Sequence, residues 1–170
     1  NYITYYLYLL IKTTYNIYVK FIADFHIHSK YSRATSKQLN PENLDHWSKI
    51  KGIQVMGTGD CLHPGWFQEL QEKFEQQENG FYILKDKFKL QQSKVHKTNP
   101  TQFILTTEIS TIYKKGGKVR KVHSLCVFPN FRAAKKAYDR LSKIGNMNSD
   151  GRPILGLDTK HLLEIVLESD

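Results

Sequence analysis

The chain has 170 residues, 40% of them hydrophobic, a length and content that suit one domain with a real core. Lys and Arg number 25 against 16 acidic residues, a net charge of +9 that suggests a polyanionic partner, although a basic surface can serve solubility alone. Two cysteines, Cys61 and Cys126, form neither a disulfide framework nor a CxxC pair, so the reading is a reducing, cytoplasmic setting, with Cys126 in the apolar run LCVF as core.

Residues 1–20 are crowded with tyrosine. Their apolar run Tyr5–Ile11 is too short to span a bilayer and is interrupted by Lys12; we assign the segment no role. Ile17 to Ile27 reads as a strand, followed by a loop over Ser29–Asn40. Pro41 at a favoured first-turn position, with Asn40 as N-cap, predicts a helix ending at Gly52. Ile53–Met56 is short and apolar, as a buried parallel strand should be, and Gly57-Thr58-Gly59-Asp60 then turns sharply. The pattern predicts a helix over Pro64–Asn79 and a small hairpin from Phe81–Leu84 and Phe88–Leu90. A polar loop over Gln91–Thr101 precedes a strand over Phe103–Ile109. A second strand at Thr111–Tyr113, the turn Lys114–Gly117 and a return strand Lys118–Phe128 follow. Phe131–Ile144 has helical spacing, Asn146–Pro153 is rich in turn residues, and Asp158 or Thr159 caps a last helix through Leu167. Strands alternating with helices argue for an α/β barrel or an open α/β sheet, folds whose chemistry sits beyond the carboxyl ends of the strands.

The residues that carry chemistry obey that placement. In Phe25-His26-Ile27-His28, alternation puts both imidazoles on one side of an extended segment, where they can grip one ion. Downstream, Asp60 and His63 lie in GTGDCLHP, Glu108 in LTTEIS and His123 in KVHSL, each near a strand end. A carboxylate such as Glu108 inside an apolar strand is costly unless paired or metal-bound. The six together read as a site for zinc or manganese, with magnesium a poorer match to histidine ligands. Two such cations can activate a water and stabilise a phosphoryl transition state. His46, His96 and His161 read as bystanders. Asp24 either orients an imidazole or caps the strand.

The segments ADFHIHSKYSRATSK, KGIQVMGTGDCLHPGW, FILTTEISTIYKKGGKVRKVHSLCVFP and LSKIGNMNSDGRPILGLD, in that order, resemble the polymerase and histidinol phosphatase (PHP) superfamily, and more narrowly endonuclease Q, over residues 22–168. The resemblance implies a distorted (βα)7 barrel with two or three metal ions. It also implies incision of DNA on the 5′ side of deaminated bases (uracil, hypoxanthine, xanthine) and at abasic sites. By position, His26 and His28 would bind the first metal, Glu108 would bridge two, and His123 would bind the second. Asp60 and His63 stand where the superfamily has Asp-His, here with two residues inserted between them. Tyr31, Arg33 and Ala34 occupy the region where many members have a further histidine. Glu108 and Asp60 are the candidate catalytic carboxylates.

Lys114, Lys115, Lys118, Arg120 and Lys121 concentrate charge around one turn, which suits contacts to a phosphate backbone as well as a solvated hairpin. Arg33 is either a phosphate clamp or a surface arginine. Trp66 and Tyr113 could stack on an extruded base, although Trp66 also continues an apolar helix face. The leading function is thus a metal-dependent DNA repair endonuclease. Alternatives are a PHP-type phosphomonoesterase and a domain that binds metal or DNA without turnover. Since the resemblance implies later ligands and accessory domains, we expect this chain to be the N-terminal part of an incomplete barrel, with weak metal binding and little incision of its own.

Overall fold

The computed structural model describes residues 20–91 and 99–170. The tyrosine-rich segment 1–19 and most of the predicted loop Gln91–Thr101, with His96, lie outside the described residues.

The first strand, β1, is only Ala23–Asp24. The sequence predicts it through Ile27, but the Asp24 side chain accepts the His26 backbone N–H at 3.2 Å. That local bond offers the backbone an alternative to the ladder, so the HxH lies just past the strand. Asp24 is therefore a cap. Helix α1 spans Pro41–Lys51, with the Asn40 side chain accepting the Asn43 N–H at 2.9 Å and Gly52 closing the last turn. Strand β2, Val55–Gly57, lies parallel to β1.

Helix α2 spans Pro64–Lys73 and stops well short of the expected Asn79. The chain becomes extended as β3, Phe74–Gln76, and pairs antiparallel with β4, Tyr82–Leu84. Extension lets the Phe74 ring pack edge-on against Phe103 at 4.7 Å, burial that outweighs the local helical pattern. The expected partner of β4, Phe88–Leu90, is no strand; Asp86–Phe88 forms one 3-10 turn.

The strand expected in two pieces is one, β5, running from Gln102 to Lys115. It pairs parallel with β2 at Gln102–Ile104 and antiparallel with β4 at Phe103. It then forms a long hairpin with β6, Lys118–Phe128, in register from Leu105↔Phe128 to Lys115↔Lys118. The connecting Gly116-Gly117 has φ of 57° and 72°, the paired positive values a tight hairpin turn demands. Helix α3 spans Phe131–Leu141, capped by the Asn130 side chain, and ends before the expected Ile144. A strand the sequence does not predict, β7 at Ile154–Leu155, pairs parallel with β5 at Ser110–Thr111. Helix α4, Thr159–Leu167, starts at its expected cap Asp158.

The fold is a mixed α/β one, in which β1, β2, β5 and β7 are parallel and β3, β4 and β6 run against their neighbours. The core gathers Trp66, Leu70, Leu84, Phe103, Leu105, Ile109, Phe128, Leu141 and Leu155, each almost fully buried. Cys126 is core as expected, and burial pushes its thiol up to about 11. Among the described residues no helix is long and apolar enough to cross a membrane.

Candidate metal centre

Four chain segments bring the site together: the stretches just past β1 and β2, and the middles of β5 and β6, where Glu108 and His123 lie inside their strands rather than near the strand ends the sequence suggests. On β5, residues 105–111 are nearly all buried, so this strand is flanked on both sides and on both faces. Glu108 lies within it and is 4% exposed. Its carboxylate is the hub. Oε2 lies 3.0 Å from His26 Nε2 and 3.2 Å from His28 Nε2, and Oε1 meets His123 Nδ1. Strand pairing accounts for His123: it faces Ser110, two residues from Glu108, so both project from one face of the hairpin. His26 and His28 arrive from the extended segment after β1 with their rings edge to face, centroids 5.4 Å apart.

Burial pushes the Glu108 carboxyl up, but the hydrogen bonds from His26 and His123 and the charges of His28 and His123 outweigh it. The group sits below its ordinary range. It is thus a carboxylate at neutral pH.

Asp60 is fully buried and reaches His28 from the far side, Oδ1 to Nδ1 at 3.1 Å. Its other oxygen accepts the Ser29 N–H at 2.6 Å and the hydroxyls of Ser29 and Ser32, each at 2.8 Å. Burial raises its pKa, and these bonds more than reverse that. Asp60 and the preceding Gly59 have φ of 46° and 61°, and a side chain at Gly59 would run into the Ile27 carbonyl. The GTGD turn therefore presses directly against the HxH segment, as only glycine allows at that point. Trp66, fully buried, pins the same turn by donating its indole N–H to Gly59 O at 2.8 Å and Thr58 O at 3.2 Å. It is core, with no face open for stacking.

The structure brings His26, His28 and Glu108 into one group whose ligand atoms all lie within 4.8 Å of one another, with His123 on the other Glu108 oxygen. His63 stands apart. Its Nε2 meets the Asn148 carbonyl at 3.0 Å and its ring stacks on Tyr31 at 4.5 Å. Arg33 is 75% exposed and pairs with Asp150, Nε to Oδ2 at 3.4 Å.

The donor set fits a divalent cation. Two imidazole nitrogens and a carboxylate oxygen around one point are nitrogen and oxygen ligands suited to zinc or manganese. The two imidazole-to-carboxylate separations, 3.0 and 3.2 Å, are near the roughly 3.4 Å edge of a tetrahedron with zinc–ligand bonds of about 2.1 Å.

Beside His123 opens a cleft of about 310 Å³ lined by Ser110, Thr111, Ile112, Lys121, Asp150, Arg152 and Ile154. Of the five basic hairpin residues, register places Lys114 and Lys121 on the face of His123, while Lys115, Lys118 and Arg120 belong to the opposite face. Tyr113 shares that opposite face, away from the centre. Lys115 reaches Asp158 at 3.7 Å. Sequence reasoning missed Arg152, whose guanidinium donates to the Arg33 carbonyl at 3.1 Å, and it missed Ser29 and Ser32. These contacts join residues far apart in sequence, and nothing local marks them.

A mixed α/β scaffold thus gathers three imidazoles around one buried carboxylate on its central strand β5. No protein-family model matches the chain. Among solved structures it is similar to the lesion-specific endonuclease PfuEndoQ from Pyrococcus furiosus, at 29% identity and a TM-score of 0.68. It is likewise similar to endonuclease Q in complex with a 27-mer duplex carrying an abasic lesion at the active site, at 31% identity and a TM-score of 0.69. In both cases 87% of this chain is covered, but only 32% of the neighbour. An uncharacterized protein of Methanocaldococcus jannaschii is 31% identical over 144 residues, which are 84% of this chain and 14% of that protein. The chain thus spans about a third of the structures it matches. The resemblance to endonuclease Q read from the motifs is borne out in three dimensions.

Proposed function

We propose that the chain is the metal-binding part of a DNA repair endonuclease of the endonuclease Q type, acting on the phosphodiester 5′ to deaminated bases and at abasic sites. The observation that carries this reading is Glu108, whose two oxygens face two different sets of imidazoles, as a carboxylate bridging two ions does. Bound there, two divalent cations, zinc or manganese, would supply Lewis acidity toward the phosphoryl oxygens and acidify a water. His26 and His28 would hold the first ion and His123 the second, with Glu108 between them. Lys121 and Arg152, in the cleft beside His123, supply positive charge where a nucleic-acid strand would run. Parallel β1, β2, β5 and β7, with α1 and α4 between and after them, are read as consecutive staves of the distorted (βα)7 barrel. The endonuclease Q neighbours, one bound to a lesion-bearing duplex, support the choice over a phosphomonoesterase.

Fluorescence anisotropy with zinc-loaded chain tests this. Duplex DNA carrying one abasic site or one uracil should bind more tightly than undamaged duplex, and EDTA should abolish the difference. Manganese should support any strand incision, on the 5′ side of the lesion. Equal binding of damaged and undamaged DNA, with p-nitrophenyl phosphate hydrolysed instead, would move the assignment to a phosphomonoesterase.

A further inference from the structure

We propose that Asp60 is neither a metal ligand nor a proton carrier but the positioning residue of the centre: it holds His28 as the Nδ1–H tautomer and so presents the Nε2 lone pair to the cation beside Glu108. The proposal rests on the metal-site reading above and assigns the one carboxylate there that the reading leaves without a role.

Both oxygens of Asp60 are already committed. Oδ2 accepts three hydrogen bonds, from Ser29 N, Ser29 Oγ and Ser32 Oγ. Gly151 closes over the same oxygen so tightly that even a Cβ there would collide with Asp60 and with Ser32 Oγ. No ion can approach on that side. Oδ1 faces His28 Nδ1 at 3.1 Å. An ionised carboxylate only accepts, so the hydrogen of that contact must reside on Nδ1. In the neutral imidazole His28 Nε2 then carries a lone pair, and it points at Glu108 Oε2, another acceptor, 3.2 Å away. Two lone pairs at that distance repel unless a cation sits between them, so the orientation Asp60 imposes is the one a metal ligand needs. The same carboxylate ties the turn after β2 to the loop after β1, and Gly151 donates its N–H to the Tyr31 carbonyl of that loop at 3.1 Å.

Asp60→Asn separates orientation from packing. Ser29 N is a backbone donor and can face only the amide oxygen, so the amide NH2 must take the place opposite His28 Nδ1. A donor there forces the imidazole hydrogen to Nε2, where it blocks the metal. Long-range 1H–15N NMR of the 15N-histidine-labelled full chain at about pH 9, where ordinary imidazoles are neutral, reads the tautomer directly; His28→Gln assigns the signal. The expected result is Nδ1–H for His28 in the parent chain and Nε2–H in Asp60→Asn, with zinc affinity by calorimetry lowered about 10–100-fold. On adding zinc to the parent, the metal-shifted nitrogen should be Nε2. An Nε2–H tautomer in the parent, zinc on Nδ1, or a folded Asp60→Asn chain with unchanged zinc affinity would overturn the proposal. Should Asp60→Asn fail to fold, Ser32→Ala takes its place: it removes one donor from Oδ2, and His28 should keep its Nδ1–H tautomer. Loss of that tautomer would overturn the proposal too. Correct tautomers with no zinc bound would uphold the role of Asp60 and sink the metal reading instead.

Discussion

Glu108 concentrates the cost of the site in one residue. A buried carboxylate is tolerated only while charged or hydrogen-bonding partners surround it, and here they are three imidazoles. Glu108→Gln keeps the shape and removes the charge. Zinc affinity, read by calorimetry, should fall by more than the about 10–100-fold that loss of an outer partner costs; undiminished affinity would remove Glu108 from the centre. Gly59 carries a different constraint. Gly59→Ala meets a positive φ and the Ile27 carbonyl at once, so it should destabilise the fold by more than the about 1–2 kcal/mol of a left-handed residue. A urea midpoint equal to the parent's would show that the GTGD turn has room to relax. Individual residues are also where the sequence was most legible. Alternation alone placed His26 and His28 on one side, and the apolar surroundings of Glu108 marked it as anomalous. His123 could be read because a hairpin is local. Arg152, Ser29 and Ser32 could not, because their partners lie 28 to 119 positions away and their own segments look like ordinary loops.

At the scale of elements, caps, turns and the local β5–β6 hairpin were readable, and distant strand partners were not. Asn40 and Asp158 start their helices, and Gly52 ends one, as their side chains and backbone preferences dictate. The break at Lys73 was invisible because Phe74-Glu75-Gln76 continues a helical pattern. The distant Phe103 ring and the ladder to β4 make extension the better choice. Strand β7 has two residues, too few for any periodicity. The hairpin offers a test of direction. Each lost phosphate contact lowers the salt slope by about 0.9, so Lys114→Gln with Lys121→Gln should flatten DNA binding by about 1.8 units. Neutralising Lys115, Lys118 and Arg120 should leave the slope nearly unchanged. The reverse ranking would place DNA on the other face.

A second element-scale device is the ion network that ties the loop after the HxH to α1 and α2. Lys73 pairs with Glu42 at 2.6 Å and Glu69 at 2.7 Å, and Lys30 with Glu69 at 2.7 Å. Burial opposes the charge on Glu69, yet bonds from Lys30 and Lys73 prevail and hold its pKa down. Burial likewise opposes the charge on Lys73, and its two carboxylates prevail and raise its pKa. The Glu69 contribution is therefore full above its unfolded value of about 4.3 and is lost as pH falls below that. The Lys73 contribution is full below about 10.4 and is lost as pH rises beyond it. Glu69→Gln should lower the urea midpoint between these limits and make its fall below about pH 4 shallower; an acid limb identical to the parent's would exclude the network.

For the whole molecule, metal and fold are linked, because the ligands come from segments that only the folded chain brings together. Zinc at about 100 times its dissociation constant should add about 2.7 kcal/mol, which for a chain of this size is a rise in Tm of roughly 5–10 °C, reversed by EDTA. A Tm indifferent to zinc and manganese would count against any structural metal site. The mixed α/β class was legible from alternation of element types. The degree to which antiparallel β3, β4 and β6 interrupt the parallel order was not, since pairing direction is decided by partners distant in sequence.

The long β5–β6 hairpin also implies an order of events during folding. Glu108 and His123 are 15 residues apart and already neighbours once the Gly116-Gly117 turn closes. His26 must cross a separation of 82 residues to join them. Short loops close first, so half the centre belongs to an early, local unit and the other half docks late. Perturbing the turn, as in Gly117→Ala, should slow refolding in stopped-flow experiments. Weakening the late partner, as in Val55→Ala on β2, should chiefly hasten unfolding.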